Sequence, residues 1–174
     1  MSKTIVLDTN ILIRALLGEK VPNFLNKYVN SCDFITPDKC YQELYNNLPK
    51  ILQKQNLGVS ISPFSEEILQ LQESIIPISE EFYIQYKNEA QRRIKARDPN
   101  DWEVVALAMH FDCPIWTEDK DFFGIGIATW NSQNVEIYLM QWLVIDTNHW
   151  DQRSLLQKKT NLQAQNSHLA FAQE

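Results

Sequence analysis

The chain has 174 residues, 44% of them hydrophobic and 22% charged, which is the balance of an ordinary globular protein and excludes a disordered or fibrous one. With only four glycines and no low-complexity tract, long flexible linkers are not expected. No apolar run is long enough for a membrane span or a secretory signal, so we expect a cytoplasmic protein.

The net charge of −6 constrains the possible partners. A surface that grips nucleic acid is normally basic, because it must neutralise phosphates. Either nucleic acid is not the substrate, or a local basic strip binds it together with bound cations.

The cysteines and histidines do not form a recognisable site. The three cysteines are widely spaced and lack a CxxC pair, which favours unpaired buried thiols over a disulfide framework or a zinc site. The three histidines are too scattered for a metal motif or a catalytic triad. Carboxylates are therefore the main candidates for chemistry.

The first such carboxylate follows an apolar run near the start of the chain. Residues 5–7 read Ile-Val-Leu and predict a short buried strand that ends at Asp8. Thr9 and Asn10 are common N-cap residues, and a helix is predicted to follow them. Open parallel sheets place their ligands at the carboxyl ends of strands, where Asp8 lies. The alternative is that Asp8 only caps the helix.

The next part of the chain predicts helices that alternate with strands. A helix is expected within residues 21–31, a strand at 33–37 and a third helix from about Asp38, kinked at Pro49. Glu43 falls in the first two turns of that helix and so stays near the strand edge. It could equally be a solvated helix residue.

The following segment predicts two more helices and a basic strip. An extended piece is expected at 59–61, a helix at 66–75, and a long helix at 80–95 that Ser79 caps. The end of this helix carries a cluster of cations, which we predict to contact phosphates unless it is an ordinary solvated surface. These residues are Arg92, Arg93, Lys95 and Arg97.

A second acidic region follows. Asp98, Pro99 and Asp101 are suited to the N-cap, N1 and N3 positions of a tightly packed helix. A strand is predicted at 113–117, with Asp119 and Asp121 just after it. These acids could instead be a capping-box partner and ordinary loop residues. Strand-like pieces are expected at 124–130 and 135–139.

Together these elements predict a three-layer α/β domain with a mainly parallel central sheet flanked by helices. Parallel strands would bring Asp8 and Asp119 to one edge, with Glu43 and Asp101 beside them. Carboxylates gathered in this way repel one another unless a cation lies between them. Oxygen ligands suit Mg²⁺ or Mn²⁺ better than zinc.

At these residues the chain resembles the PIN-domain family, the metal-dependent ribonuclease fold that includes the VapC-type toxins of bacterial toxin–antitoxin pairs. The resemblance runs from Lys3 to about Leu139. It rests on residues 6–10 (Val-Leu-Asp-Thr-Asn), on Glu43, on Asp101 with residues 104–108 (Val-Val-Ala-Leu-Ala), and on residues 117–122 (Thr-Glu-Asp-Lys-Asp-Phe).

The resemblance implies a function and a set of site residues. Asp8, Glu43, Asp101 and Asp119 would be catalytic and bind Mg²⁺ or Mn²⁺, with Asp121 as a fifth metal ligand. Thr9, Asn10 and Thr117 would support them. It also implies an RNA substrate, an antitoxin partner and a homodimer.

We therefore expect residues 1–140 to form a PIN-like nuclease domain and residues 141–174 to form a C-terminal extension, helical or partly disordered. The predicted activity is metal-dependent endoribonuclease. The alternative is a PIN-fold binding module without catalysis. Phosphotransfer with Asp8 as nucleophile is disfavoured, because Asn10 stands where that chemistry would use a second acid.

Overall fold

The computed structural model describes residues 3–54, 64–95 and 97–140. Within these ranges a five-stranded sheet has the order β3-β2-β1-β4-β5, and every neighbouring pair is parallel. The strands are β1 Lys3–Leu7, β2 Cys32–Pro37, β3 Ile75–Ile78, β4 Ile115–Trp116 and β5 Thr129–Trp130. The predicted α/β fold with a mainly parallel sheet is confirmed.

Helices cover both faces of this sheet. Consecutive side chains Ile5, Val6 and Leu7 of β1 are all fully buried, which requires cover on both sides because successive strand residues point to opposite faces. The helices of the described ranges are α1 Thr9–Leu17, α2 Lys20–Tyr28, α3 Asp38–Lys54, α4 Ser65–Ser74, α5 Lys87–Ile94, α6 Trp102–Phe111 and α7 Val135–Met140. Helix α1 packs on α2, α3 and α4, and α6 packs on α5, β1 and β2.

The strand order creates a switch point beside β1. From β1 the chain proceeds outward to β2 and β3, then returns to the other side of β1 for β4 and β5. Ligand sites of open α/β sheets form at the carboxyl ends of the strands where the order reverses in this way. That position lies between the ends of β1 and β4, where Leu7 pairs with Trp116.

The long helix predicted over 80–95 is wrong in its first half. Two short 3-10 turns, Glu80–Phe82 and Ile84–Tyr86, precede α5, which starts only at Lys87. Between the turns Tyr83 leaves helical geometry, with φ −124° and ψ 4°. Its fully buried ring packs 6.2 Å from that of Trp102. Tertiary packing of this aromatic side chain therefore overrides the local helical period.

The strand predicted at 135–139 is a helix, α7. Val135 and Leu139, which are four residues apart, form its buried side, and the Asn131 side chain accepts the backbone N–H groups of Gln133 and Asn134 just before it. Of the strand predicted at 124–130, only the last two residues form β5. Gly124 and Gly126 have φ values of 85° and 79°, which are typical of turns.

Strand β3 was not predicted, and it contains Pro77. A proline cannot donate to a sheet ladder, but β3 is an edge strand, where one side needs no donor. Residues 59–61 and 141–174, for which an extended piece and a C-terminal extension are predicted, lie outside the described residues.

The cysteines are free thiols, as predicted, with Cys32 and Cys40 buried and Cys113 partly so. Burial raises the pKa of the Cys40 thiol to about 12, which keeps it protonated and unreactive. In the described ranges no helix is both long and apolar enough to cross a membrane.

Candidate active site

Four of the five acids predicted as metal ligands lie at the switch point of the sheet. A cavity of about 180 Å³ lies there, between the end of β1, the start of α3 and the start of α6. Its walls include all four acids of the predicted quartet. The lining residues are Asp8, Thr9, Asn10, Ile13, Lys39, Cys40, Glu43, Asn47, Asn100, Asp101, Glu103, Val104, Asp119 and Phe122.

Asp8 lies deepest, with only 4% of its surface exposed. One carboxylate oxygen accepts the backbone N–H of Ile11 at 3.1 Å, so Asp8 caps α1. The other accepts the hydroxyl of Thr117 and, at 3.4 Å, the side-chain amide of Asn10. Burial raises the pKa of Asp8 to about 6 in spite of these hydrogen bonds. Asp8 is thus both the helix cap and a wall of the cavity.

Asp101 has no such support. It ends a 3-10 turn, Pro99–Asp101, immediately before α6, and its carboxylate makes no hydrogen bond with any part of the chain that the structure describes. Burial raises its pKa to about 7, and the nearby charges of Asp98 and Asp119 raise it further. It does not act as a capping-box partner.

Asp98 is the cap of this turn. Its carboxylate accepts the backbone N–H of Asn100 at 2.8 Å, and the residue is exposed and does not line the cavity. The N-cap role predicted for Asp98 is therefore observed. The Asp101 carboxylate, by contrast, makes no hydrogen bond to another described residue.

Threonines hold the two remaining acids. The hydroxyl of Thr9 donates to Glu43 at 2.6 Å. Asp119 donates its backbone N–H to the hydroxyl oxygen of Thr117 at 2.9 Å, and the same hydroxyl contacts Asp8. Thr117 therefore ties the ends of β1 and β4 together. Thr9, Asn10 and Thr117, the predicted supporting residues, all contact acids of the cavity.

Asp121, the predicted fifth acid, does not line the cavity. Its backbone N–H donates to Asp119 at 2.9 Å within the 3-10 turn Lys120–Phe122. Its half-exposed carboxylate lies 3.7 Å from the guanidinium of Arg97. Asp121 therefore faces Arg97 and not the cavity that the other four acids line.

Lys39 and Glu103 line the cavity and were not predicted. The Lys39 ammonium donates to both carboxylate oxygens of Glu103, at 3.0 and 2.9 Å, and lies 3.9 Å from Glu43. Lys39 precedes Glu43 by four residues, which places both on one face of α3 and was a usable signal. No sequence signal pointed to Glu103, because its partner is 64 residues away.

We expect this pair to be important for stability. Lys39→Met would leave the Glu103 carboxylate, in a residue that is 8% exposed, without its cation, and should lower the free energy of unfolding by about 1–3 kcal/mol. Adding Glu103→Gln should recover most of the loss. Urea unfolding measures both values. Lys50→Met on the same helix is the control, since Lys50 is exposed and unpaired within the described ranges. Equal effects of the two lysine variants would contradict the prediction.

The predicted basic strip is largely neutralised by its own neighbours. Arg92 and Arg93 both contact Glu89, at 2.6 and 2.9 Å. Arg97 donates to the carbonyl of Lys120 and lies near Asp121. These arginines are therefore engaged within the protein, and none of them lines the cavity.

The donor set of the cavity fits a divalent ion chemically. It consists of carboxylate oxygens, which Mg²⁺ and Mn²⁺ prefer, and at least one of them has no other partner. In the described part of the chain no three acidic, histidine or cysteine side chains already converge tightly enough to ligate one ion. The acids line the walls of a shared cavity instead.

The PIN domain family matches this chain over residues 6–140, and the chain belongs to that family. No curated protein sequence matches it. Two solved structures share the fold at low sequence identity. One is the crystal structure of VapBC2 from Rickettsia felis bound to a DNA fragment from their promoter, with 16% identity, a TM-score of 0.57, and coverage of 74% of this chain and 98% of that one. The other is a toxin–antitoxin complex from Klebsiella pneumoniae, with 18% identity, a TM-score of 0.53, and coverage of 74% and 97%.

Proposed function

We propose that this protein is a divalent-metal-dependent endoribonuclease that hydrolyses RNA phosphodiester bonds. The observation that carries the proposal is the environment of Asp101. Its carboxylate is partly buried beside other acids, its pKa is raised to about 7, and no hydrogen bond within the described residues compensates it.

Such an environment destabilises a folded protein. A carboxylate that loses water and gains acidic neighbours costs free energy unless a cation or a donor is supplied. Glu103 has its own cation in Lys39, whereas no cation among the described residues pairs with Asp101. A bound cation would remove this cost, which supports a role for Asp101 in metal binding.

We assign the metal to Asp8, Glu43, Asp101 and Asp119, and we leave Asp121 as a weaker candidate because it does not line the cavity. Bound Mg²⁺ or Mn²⁺ would activate a water molecule and neutralise charge on the phosphodiester. The protein prepares for this by fixing Asp8 between Ile11 and Thr117 and by holding Glu43 through Thr9. Fixed carboxylates lose little freedom when they bind an ion.

The choice of RNA and of partners rests on similarity. The chain is a PIN-domain protein, and the two fold relatives named above were solved as toxin–antitoxin complexes. We accordingly propose a VapC-like toxin that is bound by an antitoxin, forms a homodimer and acts on RNA in the cytoplasm. A non-catalytic binding module is the alternative.

Cleavage of RNA by an Asp8 variant tests the proposal. Asp8→Asn keeps an oxygen that can cap α1 but removes the charge, so we expect metal-dependent cleavage to fall by about 10³-fold or more. Asp98→Asn is the matched control, because Asp98 is an exposed cap beside the cavity. It should retain cleavage and fold. The readout is fragment formation from defined RNAs with Mn²⁺ and with chelator. Full activity of Asp8→Asn would refute the metal role, and absence of both cleavage and Mn²⁺ binding in the wild type would favour the binding module.

A further inference from the structure

A second depression adjoins the acidic cavity. It has a volume of about 520 Å³, opens widely to solvent, and is lined by Asn10, Ile13, Arg14, Glu118, Asp119 and Lys120. Three of these residues, Asn10, Ile13 and Asp119, also line the acidic cavity. The depression, called the entry groove below, is therefore continuous with the candidate active site.

The entry groove contains two cations that no described acid neutralises. Arg14 lies on α1 and Lys120 begins the 3-10 turn after β4, so the two come from different sides of the switch point. Both residues are exposed. Neither side chain has an ion pair or a hydrogen bond to another described residue.

Several other cations of the described residues are engaged by acids, whereas an unpaired one such as Lys50 does not line the groove. Lys27 contacts Glu136 at 2.7 Å, and Arg92 contacts Glu89 at 2.6 Å. Of the two acids in the entry groove, Glu118 accepts the backbone N–H of Ser132 at 3.0 Å, and Asp119 accepts that of Asp121. Arg14 and Lys120 thus remain available to a ligand next to the candidate active site.

We propose that the entry groove binds the sugar–phosphate backbone of single-stranded RNA, with Arg14 and Lys120 on phosphates that flank the bond to be cleaved. This inference rests on the proposed function and identifies where the substrate enters. Phosphate oxygens are the usual partners of exposed arginine and lysine at nucleic-acid interfaces. Binding in the entry groove also explains how a protein with a net charge of −6 binds RNA, because only a local pair of cations is needed beside the metal site.

A single strand fits this surface better than a duplex. Asp8 is 4% exposed at the base of the cavity, so a phosphodiester must leave the surface to reach it. A single strand can bend one phosphate inward, whereas a duplex keeps its backbones on a rigid helical surface.

The test is the salt dependence of RNA binding in the presence of chelator, where no metal-dependent cleavage occurs. The probe is a fluorescein-labelled oligouridylate of about 12 nucleotides, with binding followed by anisotropy of the full chain. In Arg14→Ala/Lys120→Ala the slope of log K against log salt should decrease by about 1.4, which corresponds to two lost phosphate contacts on a single strand. Arg92→Ala/Arg93→Ala removes the same charge from engaged side chains and should leave the slope unchanged.

A charge-conserving variant separates electrostatics from folding. Arg14→Lys/Lys120→Arg should retain the wild-type slope. Any one of three results would contradict RNA binding by the entry groove. They are an unchanged slope in Arg14→Ala/Lys120→Ala, equal losses of slope in both alanine pairs, and no RNA binding by the wild type. The proposed function is tested separately. If the wild type binds RNA through these cations but does not cleave it with Mn²⁺, the RNA-binding role of the entry groove stands and the nuclease activity is refuted.

Discussion

Asp101→Asn is expected to lower metal-dependent RNA cleavage by about 10³-fold or more and at the same time to stabilise the protein in chelator. The two effects have one cause. No described residue compensates the charge of the Asp101 carboxylate, and its pKa is raised to about 7. Asparagine removes that charge with almost no change in shape.

The gain in stability should depend on pH in a defined direction. The pKa of Asp101 is about 7 in the folded protein and close to its ordinary value of 3.8 when unfolded. Between these values the folded state holds more protons, so wild-type stability falls as pH rises. The advantage of Asp101→Asn in chelator should therefore be larger at about pH 8 than at about pH 5.

Thermal unfolding measures this advantage. We expect a rise in Tm of about 2–4 °C at the higher pH, the shift that 1 kcal/mol produces in a domain of this size, after allowance for partial exposure of the side chain. Mn²⁺ should raise the Tm of the wild type by more than that of the variant. Asp98→Asn keeps the cap but removes a charge that helps to raise the pKa of Asp101, so in chelator it should stabilise the protein by less than Asp101→Asn does. A variant less stable than the wild type at both pH values would contradict this interpretation.

The largest loss of stability is expected from Trp116→Ala. Trp116 is fully buried in β4, its ring packs against those of Phe24 and Phe34 at 6.0 and 6.4 Å, and its indole N–H donates to the Ser132 hydroxyl at 3.1 Å. Removal of this side chain should lower the free energy of unfolding by about 3–5 kcal/mol. The next residue, Thr117, joins Asp8 and Asp119, so β4 anchors the candidate active site as well as the core.

Chemical denaturation compares the variants of Trp116. Trp116→Phe keeps an aromatic ring against its two neighbours but loses the bond to Ser132, and should cost about 1–2 kcal/mol. Ser132→Ala isolates the loss of the hydrogen bond. Equal losses for the alanine and phenylalanine variants would show that packing of the ring is not the main contribution.

The position of the site could be predicted because it depends on local patterns. An apolar run that ends in an acid defines β1 and Asp8, and the sequence around Asp98 defines the start of a helix. Parallel pairing then brings Asp8 and Asp119 to one edge. All four acids of the predicted quartet do line a common cavity, while their metal-binding role stays a prediction.

The errors came from contacts that local patterns do not contain. Tyr83 interrupts the predicted long helix because its ring is buried against Trp102, and the Lys39–Glu103 pair joins two helices distant in sequence. Residues 135–139 alternate in a way that suits a strand, but Val135 and Leu139 also have helical spacing, and packing selects the helix.

The predicted contact of the basic strip with phosphates stays a prediction, but three of its four cations have acidic partners within the protein. Glu89 precedes Arg92 and Arg93 by three and four residues, a spacing that predicts ion pairs on a helix. Within residues 3–54, 64–95 and 97–140, Arg14 and Lys120 have no acidic partner, and their position beside the cavity is visible only in the folded chain.

Calorimetric titration of Mn²⁺ into the full chain tests the metal site most directly, because it does not depend on the choice of RNA. We predict saturable binding by the wild type at about pH 7.5, weakened at least about tenfold in Asp101→Asn and unchanged in Asp98→Asn. Absence of Mn²⁺ binding by the wild type, or equal affinity in Asp101→Asn, would contradict the assignment of this cavity as a metal centre.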